Sequence, residues 1–197
     1  MTAGDPSLKK NEELAFAFEK DGVDLIELGV PFSDPLADGP VIQASSMRSL
    51  KKKTDLKKIL ALVKKVRRKS QIPILLMGYL NPILSYGLSR FAIDAKSAGV
   101  DGTIIPDLPP DEGGEIAPVM ARHGLDLVYL LAPTSSPQRQ KRVARASRGF
   151  IYYVSITGIT GAKQSFSGAI HSNVKSIKRF SKLPVCVGFG ISNPAFS

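Results

Sequence analysis

Residues 27–40, ELGVPFSDPLADGP, place three carboxylates at the end of a short apolar strand and in the loop beyond it: Glu27, Asp34 and Asp38. A loop that only turns the chain is served by Gly, Pro and one Asp. Three acids in that position suit either proton transfer or a cap-rich turn. In DLIELGV (24–30), alternation puts Leu25, Glu27 and Gly29 on one face and Ile26, Leu28 and Val30 on the other. The wholly apolar set belongs under helices, which leaves Glu27 on the inner face near the loop. A desolvated carboxyl group has a raised pKa, toward the range useful for proton transfer at neutral pH. The competing reading, a structural Glu paired with a cation, finds no cation on the strand, so Glu27 is the candidate general acid–base. Asp34 precedes Pro35 and reads as a turn former. Asp38, before Gly39 and Pro40, either caps the next helix or serves as a second ionised group. Spacing leaves both open.

Two glycine sets follow neighbouring strands late in the chain. Gly158, Thr160 and Gly161 come after FIYYVS, and Gly188 and Gly190 end PVCVGFG. Loops after late barrel strands bind phosphate through unhindered backbone N–H groups, so together these sets point to a phosphorylated ligand. On FIYYVS, Tyr152 shares a face with Phe150 and Val154 while Tyr153 lies opposite, and alternation does not say which face looks inward. His123 and His171 have no metal-ligand spacing and read as surface residues. Cys186, the one cysteine, lies in an apolar run and reads as a buried structural thiol.

The elements that must hold these groups alternate along the chain. Helical patterns near 7–21 (Ser7 as cap), 41–50, 54–69, SRFAIDAKSAG, EIAPVMARHG, 137–147 and 169–181 separate strands at 24–30, 72–80, 102–107, 125–133, 150–155 and 184–190. Strand–helix alternation without a composition break predicts one α/β domain, 1–197, on a parallel sheet. Polar or glycine-bearing loops follow nearly every strand (GVPFSDP, GYLNP, PDLPPDE, SITGITGAK, GFGISNP). That distribution favours a barrel over a doubly wound sheet, whose functional loops gather at one switch point. Six complete strands are present by this reading.

The bulk numbers bound the rest. The chain has 197 residues, 43% of them hydrophobic, enough for one sizeable core. No apolar run approaches the ~20 residues of a membrane span. MTAGDPSLKK lacks the apolar core of a signal peptide, and with one cysteine a cytoplasmic location is expected. The net charge is +10, and residues 51–70 hold ten Lys or Arg against one Asp. A second cluster comprises Arg139, Lys141, Arg142, Arg145 and Arg148. Within 51–70, Leu56, Ile59, Leu60, Val63 and Val66 recur at helical spacing, so the bases form the solvated face of a helix. No aromatic residue lies there to stack a base, and no nucleic-acid or membrane partner is expected.

Taken in order, TAGDP (2–6), ELGVPFSDPLADGPVIQ (27–43), NPIL (81–84), YYVSITGITG (152–161) and GFGIS (188–192) resemble the tryptophan synthase α subunit family. The resemblance spans almost the whole chain, and ELGVPFSDPLADGP is its most specific part. It implies a (β/α)₈ barrel and a carbon–carbon lyase that cleaves indole-3-glycerol phosphate to indole and glyceraldehyde 3-phosphate in tryptophan biosynthesis. Glu27 matches the family's general acid–base, and Asp38 matches the carboxylate that accepts the indole N–H. Tyr152 matches a tyrosine near that pair, which favours its inward face. Thr160 matches the threonine that orders the closed site. Gly161, Gly188 and Gly190 match backbone phosphate contacts, and Phe189 matches an aromatic beside the substrate. The resemblance implies no cofactor in this subunit. Its partner is a pyridoxal phosphate β subunit, in an α₂β₂ heterotetramer, facing the loops around 33–40, 78–84 and 156–168. The family's last strand, its glycine–serine phosphate loop and most of its first strand have no counterpart, so the expected barrel is incomplete at both ends. A second reading follows from that gap: an α-like regulator, weak in catalysis, that docks on the β subunit and activates it.

Overall fold

The computed structural model describes residues 1–154 and 166–188. The chain divides into two compact units, Met1–Asp126 and Leu127–Ser197.

In the first unit, α1 (Leu8–Lys20) starts at Ser7, whose hydroxyl accepts the Lys10 amide at 3.1 Å. Before it, TAGDP folds around the buried side chain of Asn11. Its Oδ1 accepts from the Gly4 amide at 2.7 Å, and its Nδ2 donates to the carbonyls of Thr2 (3.1 Å) and Asp5 (3.3 Å). Gly4 sits at φ +84, and a Cβ there would collide with the hydroxyls of Ser49 and Thr54. Glycine is therefore required at this turn on both counts. Thr2 bridges Gly29 in parallel, with Ala3 N–H donating to Gly29 O (2.9 Å) and Gly29 N–H to Met1 O (2.8 Å). The first residues thus lie along the edge of β1.

Strands β1 (Ile26–Gly29), β2 (Ile74–Met77) and β3 (Gly102–Ile104) pair in parallel. The register sets Glu27, Leu75 and Gly102 on one level and Leu28, Leu76 and Thr103 on the next. Asp126, where β4 (Asp126–Val128) begins, donates its amide to Asp101 O at 2.9 Å. Helices α2 (Pro40–Lys51), α3 (Leu56–Arg67), α4 (Leu80–Tyr86), α5 (Leu88–Ala98) and α6 (Ile116–Arg122) fill the connections. On α3, Leu56, Ile59, Leu60, Leu62, Val63 and Val66 are buried and the lysines are exposed, in the phase the sequence predicts.

Helix α4 was not expected: the sequence reads 72–80 as one strand, but β2 stops at Met77. Gly78 then lets the chain pass close to Val30, whose Cβ lies 2.8 Å from where a Cβ on Gly78 would be. Tyr79 is extended (φ -74, ψ 157) and caps α4, and Pro82 falls in the first turn, where no N–H is needed.

The Arg67 guanidinium closes the rear of this unit. It donates to Gly99 O through Nε (3.1 Å) and Nη2 (2.7 Å), to Ile72 O through Nη1 (2.8 Å), and to Asp101 Oδ2 (2.8 Å). The same Asp101 oxygen accepts the Ile74 amide at 2.8 Å, so one side chain joins the end of α3 to the starts of β2 and β3.

In the second unit, β5 (Leu130–Leu131), β6 (Ile151–Val154) and β7 (Val185–Gly188) form a parallel sheet in that order, with α7 (Pro137–Ala146) and α8 (Phe166–Ile177) between them. The strand expected over 125–133 is interrupted at Tyr129, whose amide turns to Ser147 Oγ (3.3 Å). Helix α8 spans Phe166–Ile177 rather than 169–181; the chain turns off at its end, where Phe180 N–H donates to Ile177 O at 2.9 Å. Cys186 is exposed, not buried as expected. Among the described residues β7 is paired only along its β6 edge, so apolar neighbours in the sequence do not translate into cover.

Candidate functional site

Glu27 stands on β1 with Gly29, on the face opposite the buried Ile26 and Leu28. Its level in the sheet is apolar: Leu75 is buried and Gly102 presents no side chain. Gly102 has no room for one, since a Cβ would lie 2.8 Å from Leu75 Cδ2. Burial therefore pushes the Glu27 carboxyl above its usual range, opposed by the charge of the Met1 amino group. That amine donates to the Glu27 carbonyl at 2.8 Å, and burial holds its own pKa below the ordinary value. A half-buried carboxyl with a raised pKa can exchange a proton near neutrality.

Asp38 does not cap the next helix. The N-cap of α2 is Gly39, without a side-chain cap hydrogen bond, and Asp38 contributes only its carbonyl, which accepts from Gln43 Nε2 at 2.8 Å. Its carboxylate lies near the Tyr79 phenol: burial raises the Asp38 pKa, and the Tyr79 hydroxyl opposes that rise. The same hydroxyl accepts the Ala37 amide at 2.9 Å, and the Tyr79 ring packs on Phe32, with centroids 5.3 Å apart. Leu80 N–H donates to Asp107 Oδ1 at 3.0 Å. Asp34 is exposed and bonded to its neighbour Ser33, as a turn residue would be.

Tyr79 and Asp107 are site neighbours that sequence reasoning missed. The one available signal was an aromatic directly after a strand-ending glycine, in GYLNP.

In the second unit, β6 aims its two tyrosines apart. Tyr153, buried, accepts from Asn173 Nδ2 of α8 at 2.8 Å. Tyr152 therefore lies on the face away from α8, which resolves what alternation left open. Its phenol rests directly over Gly188: a Cβ on that glycine would overlap the Tyr152 ring and hydroxyl. Two of the expected site residues are thus in contact. Thr160, Gly161, Phe189 and Gly190, with Gly158, lie outside the described residues. His123 ends α6 and His171 is exposed. Among the described residues, no group of three or more His, Cys, Asp or Glu could hold a metal ion. No helix among them is long and apolar enough to cross a membrane.

The family model described as tryptophan synthase alpha chain matches residues 1–196. The tryptophan synthase alpha chain of Geotalea daltonii is 57% identical over 195 residues, covering 99% of this chain and 74% of that protein. The Geobacter sulfurreducens alpha chain is 54% identical over 194 residues, covering 98% and 74%. Among solved structures, one of the tryptophan synthase a2b2 complex from Pyrococcus furiosus superposes with a TM-score of 0.92 at 38% identity, covering all of this chain and 79% of its counterpart. The alpha chain from Legionella pneumophila gives 0.88 at 38%, covering all of this chain and 71% of its own. Such likeness fixes the fold class as α/β, of the (β/α)₈ barrel type in partial form. This chain belongs to the tryptophan synthase alpha chain family.

Proposed function

We propose that this chain cleaves indole-3-glycerol phosphate to indole and glyceraldehyde 3-phosphate, with Glu27 as general acid–base and Asp38 as the acceptor of the indole N–H. The observation that carries the reading is Glu27 on an apolar level of β1, where burial raises its carboxyl pKa. As an acid, Glu27 protonates the indole ring carbon; as a base, it takes the proton of the glycerol hydroxyl next to the breaking bond. The C–C bond electrons then remain with the indole, and the hydroxyl carbon leaves as the aldehyde. Asp38, ionised, supports the ring while charge develops on its nitrogen. Tyr152 and Phe189 flank the substrate, Thr160 orders the closed loop, and the amides of Gly161, Gly188 and Gly190 hold the phosphate. Two carboxylates suffice for these proton transfers, so the subunit uses no cofactor of its own.

The partner is a β subunit carrying pyridoxal phosphate, in an α₂β₂ assembly in the cytoplasm. What supports docking is the apolar exposure of Leu36, Val41, Ile42 and Leu84, in and beside loops 33–40 and 78–84. That exposure equally suits the second reading, a regulator that activates the β subunit without making indole. Indole release by the wild type and by Glu27→Gln, with and without a β subunit, tests both. The lyase reading expects Glu27→Gln to be slower by about 10²–10⁴, the usual contribution of a general acid–base. Equal turnover by the two proteins would remove Glu27 from the mechanism. Stimulation of serine-dependent β chemistry without indole production would leave the regulator.

A further inference from the structure

Resting on that reading, we infer that Tyr79 is a positioning residue for Asp38: its hydroxyl ties the loop bearing this carboxylate to the start of α4 and aims the carboxylate as an acceptor. A phenol both accepts and donates. Tyr79 Oη accepts the amide of Ala37, the residue just before Asp38, at 2.9 Å, so its own proton is free to be donated toward the Asp38 carboxylate. The ring is only 4% exposed and packs on Phe32, which belongs to the same loop as Ala37 and Asp38. The backbone that carries it is anchored in turn, because Leu80 N–H is held by Asp107 at 3.0 and 3.3 Å. Three successive strand-end loops, after β1, β2 and β3, are thus linked through the adjacent residues Tyr79 and Leu80.

The charges acting on the phenol are Asp38 and Asp107. Both disfavour a phenolate, and burial does so more strongly. Tyr79 therefore remains protonated and able to donate across the working pH range. In return the donated hydrogen bond favours the ionised form of Asp38, against burial.

The test compares wild type, Tyr79→Phe, Asp38→Asn and the double variant. It adds a carbon-detected NMR titration of the Asp38 carboxyl. Phenylalanine keeps the ring on Phe32 and removes the hydroxyl. Tyr79→Phe is expected to lower kcat/KM by about 10- to 100-fold, the range for a hydrogen bond to a charged group. The Asp38 titration moves to higher pH in the same variant. In the Asp38→Asn background the same change costs less than about 3-fold, because a residue that acts through another is not additive with it. In the unsubstituted protein, the Tyr79 Cζ resonance follows the Asp38 titration, which tests the inference even if the Phe variant fails to fold. Equal losses in both backgrounds, or a Tyr79 resonance blind to Asp38, would overturn the inference. A wild type that makes no indole overturns the lyase reading instead, and the two NMR titrations then decide the Tyr79–Asp38 link alone.

Discussion

The phenol of Tyr152 occupies the space where Gly188 would carry a Cβ, so the last two described strands meet at their loop ends through an absent side chain. Gly188→Ala must push Tyr152 aside. The expected cost is about 1–3 kcal/mol, the usual range for overpacking a filled site. Denaturant unfolding measures it. Pairing the change with Tyr152→Ala should recover part of the loss, since the methyl then meets vacated space; additive losses would show that the two residues are not in contact.

Glu27 also leaves a signature in stability. Its folded-state pKa is raised, so the protonated form suits the fold better than the ionised one. Relative to an uncharged side chain, the wild type is at no disadvantage below the ordinary carboxyl value of 4.5 and loses stability as pH rises through the raised folded value. Glu27→Gln is therefore expected to be more stable than wild type at neutral pH and to converge with it in acid. Chemical denaturation at several pH values reads this, and a parallel offset at all pH values would contradict it.

Arg67 replaces several backbone partners at once. Arg67→Met keeps much of the aliphatic stem but leaves the carbonyls of Gly99 and Ile72 without their donors. The expected loss is about 2–3 kcal/mol, the cost of stranding buried acceptors. Arg67→Lys should fall between, because one ammonium cannot reproduce a forked donor. Thermal and denaturant melts of the three proteins would rank them.

Thr103 on β3 is buried, and its Oγ1 has no hydrogen-bond partner among the described residues. Thr103→Val has nearly the same shape without the stranded hydroxyl. It should raise stability by about 1 kcal/mol, the desolvation relieved. A destabilised valine variant would reveal a partner for that oxygen.

Local chemistry explains what could be read from the sequence. Ser7 before an amphipathic run marks a helix start, the spacing of Leu56, Ile59, Leu60, Val63 and Val66 sets the phase of α3, and alternation assigns the face of Glu27. Each signal lies within one helix or one strand. What escaped was decided at a distance. The Tyr79 hydroxyl meets an amide 42 residues away, and the break at Tyr129 depends on a serine 18 residues further on. Helix α4 follows β2 within one apolar run, ILLMGYL, so its pattern merges with that of the strand. The depth of Cys186 depended on neighbouring strands rather than on its own apolar sequence.

Because the only sulfhydryl of the chain is exposed and stands in register beside Tyr152, a single maleimide dye would attach at one known point, two residues before Gly188. Burial of part of the side chain pushes the thiol above its ordinary value, so coupling should be sluggish at neutral pH and quicken in mild alkali. A fluorophore placed there would test, without any engineered mutation, the proposal that an anion is held at the loop ends.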